Sequence, residues 1–261
     1  MEFILIAIVA FGTAMLTFFS GFGLGTILMP VFAIFFPIEI AIALTAVVHL
    51  ANNLFKMSLI WKSISKTVFL LFAVPAMLTA YFGARLLEIV SREIIIFSYS
   101  IAGSEYEVTL LRLIISALLI TFAIFELSRF ERVSMKKKYL PIGGLLSGFF
   151  GGLSGHQGAL RSMFLLRAGL NKERFIATGI AAATMIDISR LTVYGTSFFA
   201  DYLDGIDDKS SLLMLATAIL AAFAGSLTGR KLLRKITMKV VRLIVGFMIL
   251  ILAVLMGAGI I

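Results

Sequence analysis

The chain has 261 residues, 61% of them hydrophobic and 14% charged, with a mean hydropathy of +1.08 and a net charge of +9. No soluble core of this length needs so much apolar surface, which excludes a water-soluble globular domain and points to a polytopic membrane protein. The absence of cysteine excludes disulfides and thiol chemistry, and basic residues gathered in short loops read as positive-inside bias rather than as a nucleic-acid surface.

In chain order, the first apolar segment covers about 3–36 and contains Ser20-Gly21-Phe22-Gly23-Leu24-Gly25, then Thr26 and Pro30. Glu2, with no Lys or Arg beside it, speaks against a cleaved signal peptide. Spans long enough for a hydrocarbon core of roughly 30 Å follow near residues 39–60, 67–87 and 110–128. A basic stretch at 129–139 separates these from a second apolar segment, about 140–170, with Ser154-Gly155-His156-Gln157-Gly158-Ala159. Spans near 175–199, 211–229 and 240–261 complete the chain. The glycine motif therefore occurs twice, each time before a long apolar helix, and Leu111-Arg112-Leu113-Ile114-Ile115 returns as Val241-Arg242-Leu243-Ile244-Val245. The expected organisation is an N-terminal repeat (1–128), a cytoplasmic basic linker (129–139) and a C-terminal repeat (140–261). Glycine-broken membrane segments repeated once per half point to a transporter with its site between the repeats.

Charge placement orients these segments. Arg129-Phe130-Glu131-Arg132 through Lys138 and Arg230-Lys231-Leu232-Leu233-Arg234-Lys235 both read as cytoplasmic. Three full crossings between them would put them on opposite sides, unless 140–170 enters and leaves on the same face. Arg167, Lys172, Arg174, Lys62 and Lys66 then fall inside. Asp201, Asp204, Asp207 and Asp208 fall outside, as do Glu88, Glu93, Glu105 and Glu107 together with Arg85 and Arg92. The expected fold is all-α, two inverted repeats, each a re-entrant or broken helix hairpin plus three transmembrane helices. A fully spanning kinked helix at 3–36 is the alternative.

Backbone that leaves the helix at membrane depth must be buried in protein or line a wet cavity. Glycine permits the reversal, and the half-helix that follows presents unpaired N–H groups and a positive dipole end, a natural anion site. The candidate substrate-binding residues are Ser20, Gly21, Gly23, Gly25, Thr26, Ser154, Gly155, His156, Gln157, Gly158 and Arg161, with Ser162 as a further hydroxyl. Pro30 is expected early in the second limb of the first hairpin. Small-xxx-small spacing at Gly21/Gly25, Gly144/Gly148/Gly152 and Gly225/Gly229 offers close helix packing as the alternative, preferred for Gly225/Gly229.

Ionisable groups inside a membrane are costly and mark function by default. Arg161 reads as an anion ligand, as a structural partner of Asp187, or as a side chain snorkelling to the surface. His49, Asn52 or Asn53, and Lys56 stripe one helix face, and Asp187 and Arg190 stripe the matching helix. The offset that relates Ser20 to Ser154 also relates Asn53 to Asp187 and Lys56 to Arg190. These five, His49, Asn52, Asn53, Asp187 and Arg190, are candidates for pathway or coupling. Asp187 and Arg190 can also neutralise one another, Lys56 is expected to snorkel towards Trp61, and Asn52 and Asn53 serve equally as interhelical glue. His49 and His156 can titrate near neutral pH. Two histidines without an i,i+4 pair argue against a metal, and no cofactor is expected.

Gly21-Phe22-Gly23-Leu24-Gly25 with Pro30, Ala41-Ile42-Ala43-Leu44-Thr45, Gly148 to Gly158 and Phe175-Ile176-Ala177-Thr178 resemble the sulfite exporter family of the TauE/SafE type, also called the sulfonate uptake permease family. Gly83 and Gly229, each followed by a basic residue within two positions, fit the same pattern. The resemblance covers nearly the whole chain and implies a multi-pass inner (plasma) membrane carrier of small sulfur-containing or organic anions, working by alternating access. The expected partners are a small anionic substrate and the lipid bilayer, with no nucleic acid, and a second copy of the chain as a homodimer. The second motif runs Gly155-His156-Gln157-Gly158-Ala159 where the family tends to three or more glycines. Phe164 stands in place of a proline, and Arg161 in place of a small or apolar residue. The rival readings are a proton- or cation-coupled carrier of another small solute using Asp187, and a non-transport accessory protein. No nucleophile–base pair, nucleotide loop or metal cluster suggests an enzyme.

Overall fold

The computed structural model describes residues 2–17, 24–91, 94–101, 103–127, 136–166, 168–205, 209–232 and 238–261. Ser20 to Gly23, Arg92, Glu93, residues 129–135 of the basic linker, Arg167, Asp207, Asp208, Arg234 and Lys235 lie outside the described residues. The first half comprises α1 (Glu2–Thr17), α2 (Leu24–Phe32), α3 (Ile38–Ile60), α4 (Lys66–Val90), a hairpin of β1 (Ile95–Ile101) and β2 (Ser104–Thr109), and α5 (Leu110–Leu127). The second comprises α6 (Leu140–Ser154), α7 (Gly158–Leu165), α8 (Lys172–Gly205), α9 (Lys209–Leu232) and α10 (Met238–Gly257).

Local chemistry sets several of these boundaries. Pro37 precedes α3, and Pro141 occupies its first turn in α6, where a missing N–H costs nothing. Asn171 Oδ1 accepts from Arg174 N at 2.9 Å and caps α8, and Thr109 Oγ1 accepts from Arg112 N at 3.2 Å and caps α5. Gly155, at φ 82°, ends α6 in the left-handed conformation that other residues resist. Pro30 is the seventh of nine residues in α2. Its missing N–H therefore falls in the last turn, not in the early position expected from sequence.

Four described helical stretches are long and apolar enough to cross a membrane: Ile38–Ser63, Lys66–Val90, Lys172–Ser197 and Lys209–Lys231. Burial is inside out relative to a soluble protein. Leu71, Leu78, Phe82 and Ile89 on α4, Leu213 and Leu220 on α9, and Phe247, Ile251 and Val254 on α10 are exposed, whereas Lys56, Arg161, Asp187 and Arg190 are buried. Water would reverse that arrangement and a bilayer demands it.

The helices pair in a recurrent pattern. α4 packs on α6 and α1 on α9, while α3 lies against α8 and α5 against α10. Glycine makes the first two contacts close enough for backbones to touch. A Cβ at Gly152 would lie 2.8 Å from Ala80 Cα, and one at Gly83 would lie 2.9 Å from Leu153 N. Gly144 and Gly148 meet the backbone at Phe72 and Ala76 in the same way. The Gly144/Gly148/Gly152 stripe is thus a packing surface between α6 and α4, and the break is confined to Gly155–Gln157. Gly225 and Gly229 on α9 abut the backbone of Phe11 and Met15 on α1, as the packing reading expects.

The second broken pair is a hairpin: Phe164, near the end of α7, packs on Gly143, near the start of α6. Its limbs are unequal. At about 1.5 Å per residue, α6 reaches roughly 22 Å and α7 about 12 Å, so the first limb exceeds half a hydrocarbon core. Between α4 and α5, β1 and β2 pair as an antiparallel hairpin, a departure from the all-α expectation. Tyr99 stacks on its cross-strand neighbour Tyr106 at 5.4 Å and donates its hydroxyl proton to Ala258 O, tying the hairpin to the end of α10.

Candidate functional site

The start of α2 meets the break between α6 and α7. A Cβ at Gly25, in the first turn of α2, would lie 3.7 Å from Gly155 O, 3.8 Å from His49 Cδ2 and 3.8 Å from Thr45 Cγ2. The start of α2 therefore faces the break between α6 and α7 across one face of α3. Thr26 is half-buried beside it. Ser20, Gly21 and Gly23 fall outside the described residues.

At the second break, Gly155 N–H donates to Gly151 O and Gln157 N–H to Gly155 O, which closes the reversal before α7 begins at Gly158. Ser147 Oγ donates to Gln157 O at 2.9 Å and fixes the turn onto α6. Ser154 Oγ donates to Phe150 O at 3.1 Å, so its hydroxyl is left to accept from His156 Nδ1–H at 2.9 Å. The His156 ring stacks on Phe122 of α5 at 5.5 Å. His156 Nε2 is buried and unpartnered, as is Thr45 Oγ1.

Behind the breaks lies a polar cluster centred on Asp187 of α8, which is fully buried. Its Oδ2 accepts from His49 Nδ1 at 2.6 Å and Asn53 Nδ2 at 3.1 Å, both on α3. Its Oδ1 accepts from Gln157 Nε2 at 3.0 Å and from Arg190 Nε and Nη2 at 3.1 and 2.8 Å. Arg190 Nη1 also donates to Gly151 O at 3.3 Å, and Tyr194 donates to Gly152 O. Arg161 donates from Nη1 to Gln157 Oε1 at 2.9 Å and lies 3.6 Å from where a Gly179 Cβ would be. The two charge-assisted bonds from Arg190 converge on the single oxygen Oδ1, and such bonds are worth more where water is excluded.

Of the sequence candidates, His49, Asn53, Asp187, Arg190, Gln157 and Arg161 come together in one connected cluster. Gly25, Gly155 and Gly158 line the break itself. Arg161 and Asp187 are joined through Gln157 rather than as a direct pair. Lys56 does not snorkel: it is 4% exposed, one turn beyond Asn53 on the same face of α3. The helix packs on α8 and α9, which accounts for that burial. Asn52 bonds between helices, its Oδ1 accepting from Ser226 Oγ of α9 at 2.7 Å, while its Nδ2 is buried and unpartnered. Thr45, Ser147 and Tyr194 were not anticipated. Thr45 lies four residues before His49 and shares its face, a signal present in the sequence, whereas nothing in the sequence marks Ser147 or Tyr194.

A family model described as Sulfite exporter TauE/SafE matches residues 6–256. The chain belongs to this family. It is a family of membrane transporters of sulfur anions and not of enzymes, which agrees with the apolar exterior and buried charge. No curated protein and no solved structure matches the chain.

Proposed function

We propose that the chain is a secondary carrier of a small sulfur-containing or organic oxyanion, of the sulfite or sulfonate kind, which it moves by alternating access between two inverted repeats. The observation that carries this reading is the first turn of α2 set against the break between α6 and α7, Gly25 against Gly155. There the opening turns of α2 and α7 bring half-helix dipoles to one place. The residues we assign to the anion are Gly25, Thr26, Gly155, His156, Gln157, Gly158 and Arg161, with Ser20, Gly21, Gly23 and Ser154 completing the two tips.

The pairing of elements supports the repeat. Exchanging α1 with α6, α2 with α7, α3 with α8, α4 with α9 and α5 with α10 turns the α1–α9 contact into the α6–α4 contact and maps α3–α8 and α5–α10 onto themselves. Residues on a two-fold axis must touch their own mates. Asn53 and Asp187, related by the offset that links the two glycine motifs, are hydrogen-bonded at 3.1 Å. Three spanning helices per half, an odd number, invert one half against the other and place that axis in the membrane plane.

Counterflow of radiolabelled sulfite or methanesulfonate in proteoliposomes tests the reading. Flux is expected in the wild type and is lost in Arg161→Ala while the protein remains folded. Unchanged flux in that variant removes Arg161 from the site, and no flux of any anion in the wild type overturns the carrier reading.

A further inference from the structure

Resting on the carrier reading, we infer that His49 and Asp187 form a proton site, so that one proton crosses the membrane with each anion. The first observation is chemical. His49 Nδ1 and Asp187 Oδ2 are 2.6 Å apart and both are buried. Two lone pairs cannot face each other at that separation, so a proton lies between them, on the imidazole or on the carboxyl. A second proton taken up by the pair, at His49 Nε2 or on the carboxylate, raises the charge of the site by one.

The second observation is the wiring. Asp187 is held from three sides: by α3 through His49 and Asn53, by its own helix through Arg190, and by the second helix break through Gln157. Gln157 gives its N–H to Asp187 and its carbonyl to Arg161, the cation assigned to the anion. The same amide therefore reads the charge of Asp187 on one side and the position of Arg161 on the other. When Asp187 loses its charge, the Gln157 bond to its Oδ1 becomes ordinary rather than charge-assisted and weakens by about half, while the Arg190 bonds keep the assistance of the guanidinium. The tether between the break and α8 loosens in the same step.

The charged surroundings set the sign. Arg190 on α8 and Arg161 on α7 act on His49 electrostatically, Lys56 on α3 lies near Arg161, and His156 lies near Arg190. The segment α2 carries no titratable residue, and α9 meets this face of α3 through Ser226 and Asn52. Asp187 is the carboxylate of this cluster, fully buried, and its negative charge opposes an arriving anion. A proton relieves that repulsion, so proton and anion favour each other's binding, and the effect is reciprocal. Two ligands that bind in the same state travel together, which makes the carrier a symporter. Because the pair bridges α3 and α8, one from each half, the proton is held where the two repeats would slide past one another.

Methanesulfonate is the suitable probe because it stays ionised at all working pH values and cannot itself carry the proton. Proteoliposomes loaded with pyranine and given an inward methanesulfonate gradient are expected to acidify inside, with one proton per anion. The apparent affinity for the anion is expected to rise as pH falls. Scored as protons taken up per methanesulfonate moved, and not by flux, Asp187→Asn and His49→Gln should each drop that ratio from one towards zero. Counterflow without acidification in the wild type overturns the inference and leaves the carrier reading standing, as does acidification that persists in both variants. No counterflow with methanesulfonate or sulfite overturns both. Should the variants fail to fold, the wild-type pyranine trace decides alone.

Discussion

Replacing Asp187 by alanine removes at once the acceptor for His49 Nδ1, Asn53 Nδ2, Gln157 Nε2 and two nitrogens of Arg190. Arg190 is 1% exposed and would keep its charge in the interior, with the carbonyl of Gly151 at 3.3 Å among its remaining contacts. Breaking a buried pair from one side costs about 3–5 kcal/mol, because the stranded charge has neither water nor counter-ion. At roughly 2–4 °C per kcal/mol for a chain of this size, the unfolding midpoint is expected to fall by about 6–20 °C. Arg190→Ala should cost less, since the carboxylate keeps His49, Asn53 and Gln157. The double variant Asp187→Ala/Arg190→Ala removes the stranded charge as well and should be less damaged than the sum of the singles, by about 0.5–3 kcal/mol. Thermal unfolding in detergent, followed by circular dichroism at fixed lipid content, measures all three. Single effects that add within about 0.5 kcal/mol, or an Asp187→Ala midpoint equal to that of the wild type, would refute the placing of Asp187 as the counter-ion of Arg190.

Three further outcomes follow from the same geometry. Gly152→Ala drives a Cβ into the backbone of Ala80, nearest its carbonyl oxygen, and should cost about 1–3 kcal/mol in the same unfolding assay; Gly195→Ala, with open space around it, is the control and should cost nothing. Gly155→Ala forces a left-handed residue worth about 1–2 kcal/mol and also sets a Cβ 2.9 Å from Arg190 Nη1. Gly169→Ala, at φ 78° with nothing near, carries the backbone strain alone, so a larger loss of stability and of counterflow at Gly155 isolates the contact with Arg190. Single cysteines introduced at Gly23 and Gln157 of this cysteine-free chain should react with impermeant reagents only from outside and only from inside, respectively, in the opposing states. Labelling of both from one side contradicts the inverted arrangement.

Much of this could be read from one dimension because a bilayer simplifies the physics. Apolar runs must be helices, since no other open structure satisfies its backbone in lipid, and the long helices appear where hydropathy places them. Asp187 and Arg190, three residues apart on one helix, are neighbours in any packing, and they do pair. The second glycine motif marks a break because left-handed backbone, as at Gly155, leaves a trace in composition. Family membership was legible for the same reason, in glycines and small residues held at set spacings.

What periodicity leaves open is which helix each face meets. The face of α3 bearing Thr45, His49, Asn53 and Lys56 is visible in the sequence, but its contact with Asp187 spans 138 residues from His49 and depends on how the halves dock. The same uncertainty made Lys56 look like a snorkelling residue, because its distance from the helix end was known and its cover by neighbouring helices was not. Gly144, Gly148 and Gly152 fit a tip or a seam equally well by spacing, and only the backbone of α4 against them makes them a seam. The bridging role of Gln157 needs two partners from two helices at once. The sequence by itself therefore determined the solvent this protein lives in, its helices and its breaks, all consequences of local polarity and backbone freedom. The tertiary structure alone decided which buried polar side chains bond to one another, because the bonds from His49 and Asn53 to Asp187 are made between halves of the chain that no local interaction connects.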